Sequence, residues 1–155
     1  MKVEQDFEQF VRLLNDHKVR YLIVGAYAVG FHAEPRNTGD IDIWIDSTDH
    51  NIEKIIVVLD KFGFSSLEIT KEDLLKPETV TQLGYPPLRI DLLTSLSGLT
   101  FDHAYKSLVK GQFGSIMMNF ISLPDLITNK EATGRMRDKA DAETLRNFQK
   151  KGDHI

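Results

Sequence analysis

Phe7, Phe10, Val11 and Leu14 recur at the spacing of one helix face, with Glu and Asp between them, which predicts an amphipathic helix over residues 4–17. The period then changes. Val19 to Val24 is short and rich in β-branched and aromatic residues, the pattern of a strand, and Gly25 ends it at the entry to a second helical stretch, Ala26 to His32. Residues 34–39, with Pro35, Asn37 and Gly39, read as a turn or loop. Beyond them Ile41, Ile43 and Ile45 alternate with Asp40, Asp42 and Trp44, the period of a strand with two different faces. Ser47, Thr48 or Asp49 is placed to cap the next helix. Its apolar face is Ile52, Ile55, Ile56 and Leu59, and Gly63 supplies a stop.

The later chain is more interrupted. Residues 70–87 are polar, carry Pro77, Gly84, Pro86 and Pro87, and read mostly as loop, with a short helix opening at Thr70 ahead of Asp73. Leu88 to Leu93 reads as a strand containing Asp91, Phe101 to Leu108 as a short helix, and Ser115 to Ile121 as another strand. Ser122, with Pro124 in the first turn and Asp125 three residues on, marks a helix start whose core side is Leu123, Leu126 and Ile127. A last helix over 138–150 presents Ala142, Leu145 and Phe148. No repeat, low-complexity tract or linker divides the sequence, so one domain over 1–155 is expected.

Composition narrows the class. The chain lacks cysteine, which excludes disulfides, thiolate zinc sites and Cys nucleophiles and suits a reducing cytosol. No apolar h-region follows Met1, and the longest apolar run, Tyr21 to Phe31, is far shorter than the roughly 20 residues a bilayer needs. A soluble, cytoplasmic protein that does not engage a membrane is expected. The net charge of −4 gives no broad footprint for nucleic acid, but it is unevenly spread. Residues 1–60 carry eleven acids against six bases, and residues 130–151 carry seven bases against four acids. Early carboxylates and late cations can hold a metal and an anionic ligand between them.

The carboxylates carry the chemistry. On a strand Asp40 and Asp42 project from the same side, about 6.5 to 7 Å apart along the backbone, a spacing that suits one hard cation or a pair. Asp91 sits between Ile90 and Leu92, where an acid needs a reason. If its strand lies beside that of Asp40 and Asp42, the three form one cluster, and their mutual repulsion makes metal binding the natural resolution. Each acid also has a plainer reading: Asp40 ends a turn, Asp42 faces water, Asp91 pairs with Arg89. Gly25 lets backbone N–H groups approach a phosphate, and Arg36 and Thr38 in the following loop add a guanidinium fork and a hydroxyl, unless Arg36 simply neutralises nearby acids. Lys130, Arg135 and Lys139 are further anion candidates, with a solvated helix face as the alternative. The histidines show no metal-ligand spacing; only His32, next to Gly25, falls near these residues.

Val24-Gly25-Ala26, Asp40-Ile41-Asp42 and Ile90-Asp91-Leu92 resemble the turn, the Asp-x-Asp strand and the third Asp of the nucleotidyltransferase fold of the DNA polymerase β superfamily. The stretches from Val24 to Trp44, Gly84 to Leu93 and Arg135 to Leu145 are similar to its small bacterial branch related to the AbiEii toxins, so the resemblance spans roughly residues 20–148. It implies an α/β fold, a mixed sheet flanked by helices. It also implies Asp40, Asp42 and Asp91 as ligands of Mg2+ or Mn2+, Asp91 alternatively serving as base, with Gly25, Ala26, Arg36, Thr38 and Lys130 toward the nucleotide. The implied reaction moves a nucleoside monophosphate from an NTP to an acceptor that is RNA, protein or small molecule, in a toxin–antitoxin or defence setting. An RNA acceptor predicts that the basic 130–151 region borders the metal site; a cationic sugar, as for aminoglycoside nucleotidyltransferases, predicts a groove lined by acids. Ala26 stands where the superfamily carries Gly or Ser. The rival reading is therefore a nucleotide-sensing or protein-binding module that keeps the fold without turnover.

Overall fold

The computed structural model of the chain describes residues 4–35, 39–64, 67–85 and 88–153. In chain order the elements are α1 (Gln5–Asp16), β1 (Tyr21–Val24), α2 (Gly25–His32), β2 (Asp40–Ile45), α3 (Asp49–Phe62), α4 (Lys71–Leu75), β3 (Val80–Tyr85), β4 (Leu88–Leu93), α5 (Phe101–Lys106), β5 (Val109–Phe113), β6 (Ile116–Phe120), α6 (Leu123–Ala132) and α7 (Met136–Asp153). The six strands form one mixed sheet in the order β3-β4-β2-β1-β6-β5. Within it β2–β4 and β1–β6 are parallel, and the other neighbours are antiparallel. The expected mixed sheet flanked by helices is what forms.

Local signals explain most boundaries. Phe7, Phe10, Val11 and Leu14 are the buried stripe of α1. Gly63 closes α3 at φ +100°, a left-handed position glycine adopts without cost. Thr70 and Asp73 form a reciprocal capping box at α4, and the Ser122 hydroxyl accepts from the Asp125 N–H at 3.3 Å to open α6. Thr48 takes the N-cap position of α3, but its side chain makes no capping bond.

Two strands depart from the sequence reading. Residues 80–85, expected within a loop, form β3, and residues 109–113, without an expected element, form β5. Both lie at the edges of the sheet. Edge strands need bury little, so Val80 and Val109 stay exposed and the polar residues between them mask the alternation.

Register sorts the central strands into two faces. Ile41, Ile43 and Ile45 point to one side with Ile90 and Leu92 of β4, and all five are buried. Asp40, Asp42 and Trp44 point to the other, with Val24 opposite Asp42 and Leu22 opposite Trp44. Trp44 is sealed by the Phe101 ring of α5, edge-on at 5.3 Å. At its other end the same face carries the acids beneath α6 and α7, and α7 packs against α2 and α6.

Candidate active site

The pairing of β2 with β4 is what assembles the site. Asp42 lies opposite Asp91 and Asp40 opposite Arg89, so the three carboxylates and one guanidinium share one face of two parallel strands. They line a cleft of about 570 Å³, with Gly25 and Ala26 at one border and Lys130, Thr133, Arg135, Arg137 and Asp138 along the helical wall. Asp91 is buried, its side chain 9% exposed, whereas that of Asp40 is 41% exposed.

Gly25 is required here. It opens α2 at φ +65°, and a Cβ at this position would strike the Asp42 carboxylate, its Cγ lying only 3.0 Å away. The missing side chain lets the Asp42 carboxylate lie against the turn where the first N–H groups of α2 lack helical partners. Burial, then the neighbouring charges of Asp91 and Asp40, push Asp42 up to about 6, against the pull of Lys130 and Arg89.

Arg89 tempers that repulsion. Its Nε donates to Asp91 Oδ1 at 2.8 Å, and its Nη2 donates to Asp91 Oδ2 and to Asp40 Oδ2, each at 3.1 Å. The plainer pairing of Asp91 with Arg89 therefore exists, and it extends to Asp40. Among the described residues no three His, Asp or Glu side chains stand as a ready-made metal cage. The donor set nevertheless fits a hard cation: carboxylate oxygens on one face, a glycine cradle against Asp42, and a guanidinium already standing where positive charge is demanded.

The helical wall is organised around Lys130. Its Nζ lies 3.2 Å from Asp138 Oδ1 and 3.3 Å from Asp141 Oδ2, and all three residues are buried. Asp138 also accepts from the Thr133 hydroxyl at 2.6 Å and from Arg135 Nε at 2.7 Å. Burial raises Asp138, but the hydrogen bonds from Thr133, Lys130 and Arg135 outweigh it and hold the carboxyl down at about 2. Lys130 is thus a buried, paired cation at the cleft, in place of the solvated helix face.

The structure brings Gly25, Ala26, Asp40, Asp42, Asp91 and Lys130 to one cleft; Arg36 and Thr38 lie outside the described residues. Arg135 lines the cleft, whereas Lys139 is exposed and does not. His32 is structural: its Nε2–H donates to the Ile121 carbonyl at 2.7 Å, and burial lowers its pKa. Sequence reasoning missed Ser95, Ser97, Asn129 and Thr133 as lining residues. They follow β4 or lie on and just after α6, and no spacing pattern joins them.

No family model and no curated protein matches the chain. Solved structures do. The lincosamide antibiotic adenylyltransferase LnuA, determined with lincomycin bound, is similar at TM-score 0.56 and 14% identity, over 95% of this chain and 98% of that one. A putative nucleotidyltransferase from Thermotoga maritima is similar at TM-score 0.57 and 15% identity, over 94% and 91%. Identities this low speak to architecture, and with the sheet order and the carboxylate face in hand they show that the chain adopts the nucleotidyltransferase fold.

Proposed function

We propose that this chain, acting as one domain, is a metal-dependent nucleotidyltransferase that moves a nucleoside monophosphate from an NTP to an acceptor hydroxyl and releases pyrophosphate. The observation that carries this reading is the juxtaposition of Asp40, Asp42 and Asp91 on one strand face with a cationic wall of Lys130, Arg135 and Arg137 across one cleft. Asp40, Asp42 and Asp91 would hold Mg2+ or Mn2+, which supplies positive charge to the attacking and leaving oxygens. The N–H groups of Gly25 and Ala26, with Lys130, Arg135 and Arg137, neutralise the triphosphate, and Arg36 and Thr38 extend that set. In the transfer the acceptor oxygen bonds to the α-phosphorus as the bond to the bridging oxygen breaks, and Asp91, as the alternative to ligating the metal, would take the acceptor proton.

The LnuA structure, with lincomycin bound, supports a small-molecule acceptor, whereas the basic wall bordering the carboxylates supports RNA. The similarity of residues 20–148 to the AbiEii-related branch supports a toxin–antitoxin or defence role. Dependence on NTP supports action in the cytoplasm.

The test is calorimetric titration of each NTP with and without Mg2+, on the wild type and on Asp42→Asn, followed by labelled transfer. Mg2+-dependent binding that disappears in Asp42→Asn supports the reading. Nucleotide binding by both proteins without Mg2+ and without transfer would instead establish the second reading, a binding module without turnover. That reading is favoured by Ala26, which offers phosphate no hydroxyl, and by the guanidinium already among the acids.

A further inference from the structure

Arg89 is fixed at the carboxylates by the sheet itself. It is the register partner of Asp40, stands two residues before Asp91 on the same strand face, and its backbone N–H donates to the Gly39 carbonyl at 2.7 Å. From there its side chain, 25% exposed, engages both oxygens of Asp91 and one of Asp40. These are oxygens a divalent ion would take. Among the described residues Arg89 is the cation that bonds directly to these carboxylates.

We propose that Arg89 is a built-in counter-cation that competes with divalent metal for Asp40 and Asp91 and so sets how tightly the ion is held. This rests on the nucleotidyltransferase reading given above. In the ion-free protein the guanidinium satisfies the buried Asp91, which would otherwise be an uncompensated charge inside the fold. When an ion arrives, the same guanidinium must give up its hydrogen bonds or stand as a like charge beside the metal. Both weaken binding. The alternative role, a positioning residue that orients Asp91 for the metal, makes the opposite prediction.

The experiment is Mn2+ titration of the chelator-stripped full-length protein, read by the electron paramagnetic resonance signal of free Mn2+, on wild type, Arg89→Gln and Asp42→Asn. Removing a unit charge a few ångströms from the ion is expected to tighten Mn2+ binding in Arg89→Gln by at least about tenfold. Thermal unfolding should show Arg89→Gln melting below wild type in chelator and gaining more from Mn2+ than wild type gains. Arg89→Gln binding Mn2+ no more tightly than wild type, while Asp42→Asn loses binding, overturns the counter-cation role and leaves the metal site standing. Equal binding by Asp42→Asn and wild type removes the metal site, and this inference with it. A readout on the wild type alone guards against a variant that does not fold. A weaker Arg89 Nε–H hydrogen bond as Mg2+ is added, read from its resonance, supports competition; an unchanged resonance at saturation together with Mn2+ affinity unaltered in Arg89→Gln overturns the proposal.

Discussion

Two charge clusters face each other across the cleft, and they are balanced in opposite ways. On the strands, three carboxylates share one guanidinium, and Asp42 is pushed up to about 6. On the helices, Asp138 and Asp141 share Lys130, while Arg135 and the Thr133 hydroxyl complete Asp138, which is held down at about 2. The strand cluster leaves Asp42 desolvated and crowded by Asp91 and Asp40, whereas the helical cluster is satisfied within the fold. A satisfied network rigidifies its surroundings, whereas an unbalanced one stores an affinity for something absent. The strands thus carry the cation-seeking half of the cleft, and the helices carry cations held in place by their own acids.

The largest blow to this comparison should come from Lys130→Met. It leaves Asp138 and Asp141 buried with less compensation, so urea unfolding should report a loss of about 3–5 kcal/mol. A loss under about 1 kcal/mol would mean that solvent, rather than Lys130, balances the helical cluster.

Gly25→Ala attacks the strand cluster by geometry instead of charge. The new Cβ collides with the Asp42 carboxylate, and displacement of that group by about 1 Å should slow labelled nucleotide transfer on the order of 100-fold. Transfer at the wild-type rate would show that Asp42 tolerates another position.

pH separates the clusters by sign. The folded-state pKa of Asp138 lies below its unfolded value, so its contribution is present above about pH 4 and is lost as the pH falls through about 2. The amount is on the order of 2 kcal/mol, and in Asp138→Asn that segment of the acid-unfolding profile should flatten. Asp42 works the other way in ion-free protein. Its folded-state value is the higher one, so stability rises as the pH falls through about 6, and Asp42→Asn should remove the rise.

The smallest effect serves as a control. Thr70→Ala removes the capping box of α4, away from the cleft, and should cost about 1 kcal/mol in unfolding while leaving Mn2+ affinity unchanged.

The strand cluster was legible in the sequence because its information is local. Asp-x-Asp alternation, an acid between Ile90 and Leu92, and a glycine at a strand end each announce themselves within a few residues. The helical cluster was only half legible. Lys130 and Arg135 stood out as cations, and Arg135 meets Asp138 three residues on, but the pairing of Lys130 with Asp138 and Asp141 is fixed by the packing of α6 on α7, which no spacing in the sequence encodes. The edge strands were hidden for a different reason. Gly111 lies within β5 because the Phe31 ring occupies the space a Cβ would need, so a packing requirement in α2 removes a strand-forming side chain from β5. Arg89 was read as a partner of Asp91 alone; its reach to Asp40 depends on the parallel register.

That register also has a consequence for how the protein is made. Arg89 follows Asp40 by 49 residues, with α3, α4 and β3 between them, so β2 leaves the ribosome well before the strand that will neutralise it. A parallel neighbour cannot be supplied by a hairpin, and closing so long a loop is a slow step in folding. The nascent chain carries its acids exposed until β4 docks, and that docking brings the carboxylate face together. The pairing of β2 with β4 and the assembly of the carboxylate face are a single event.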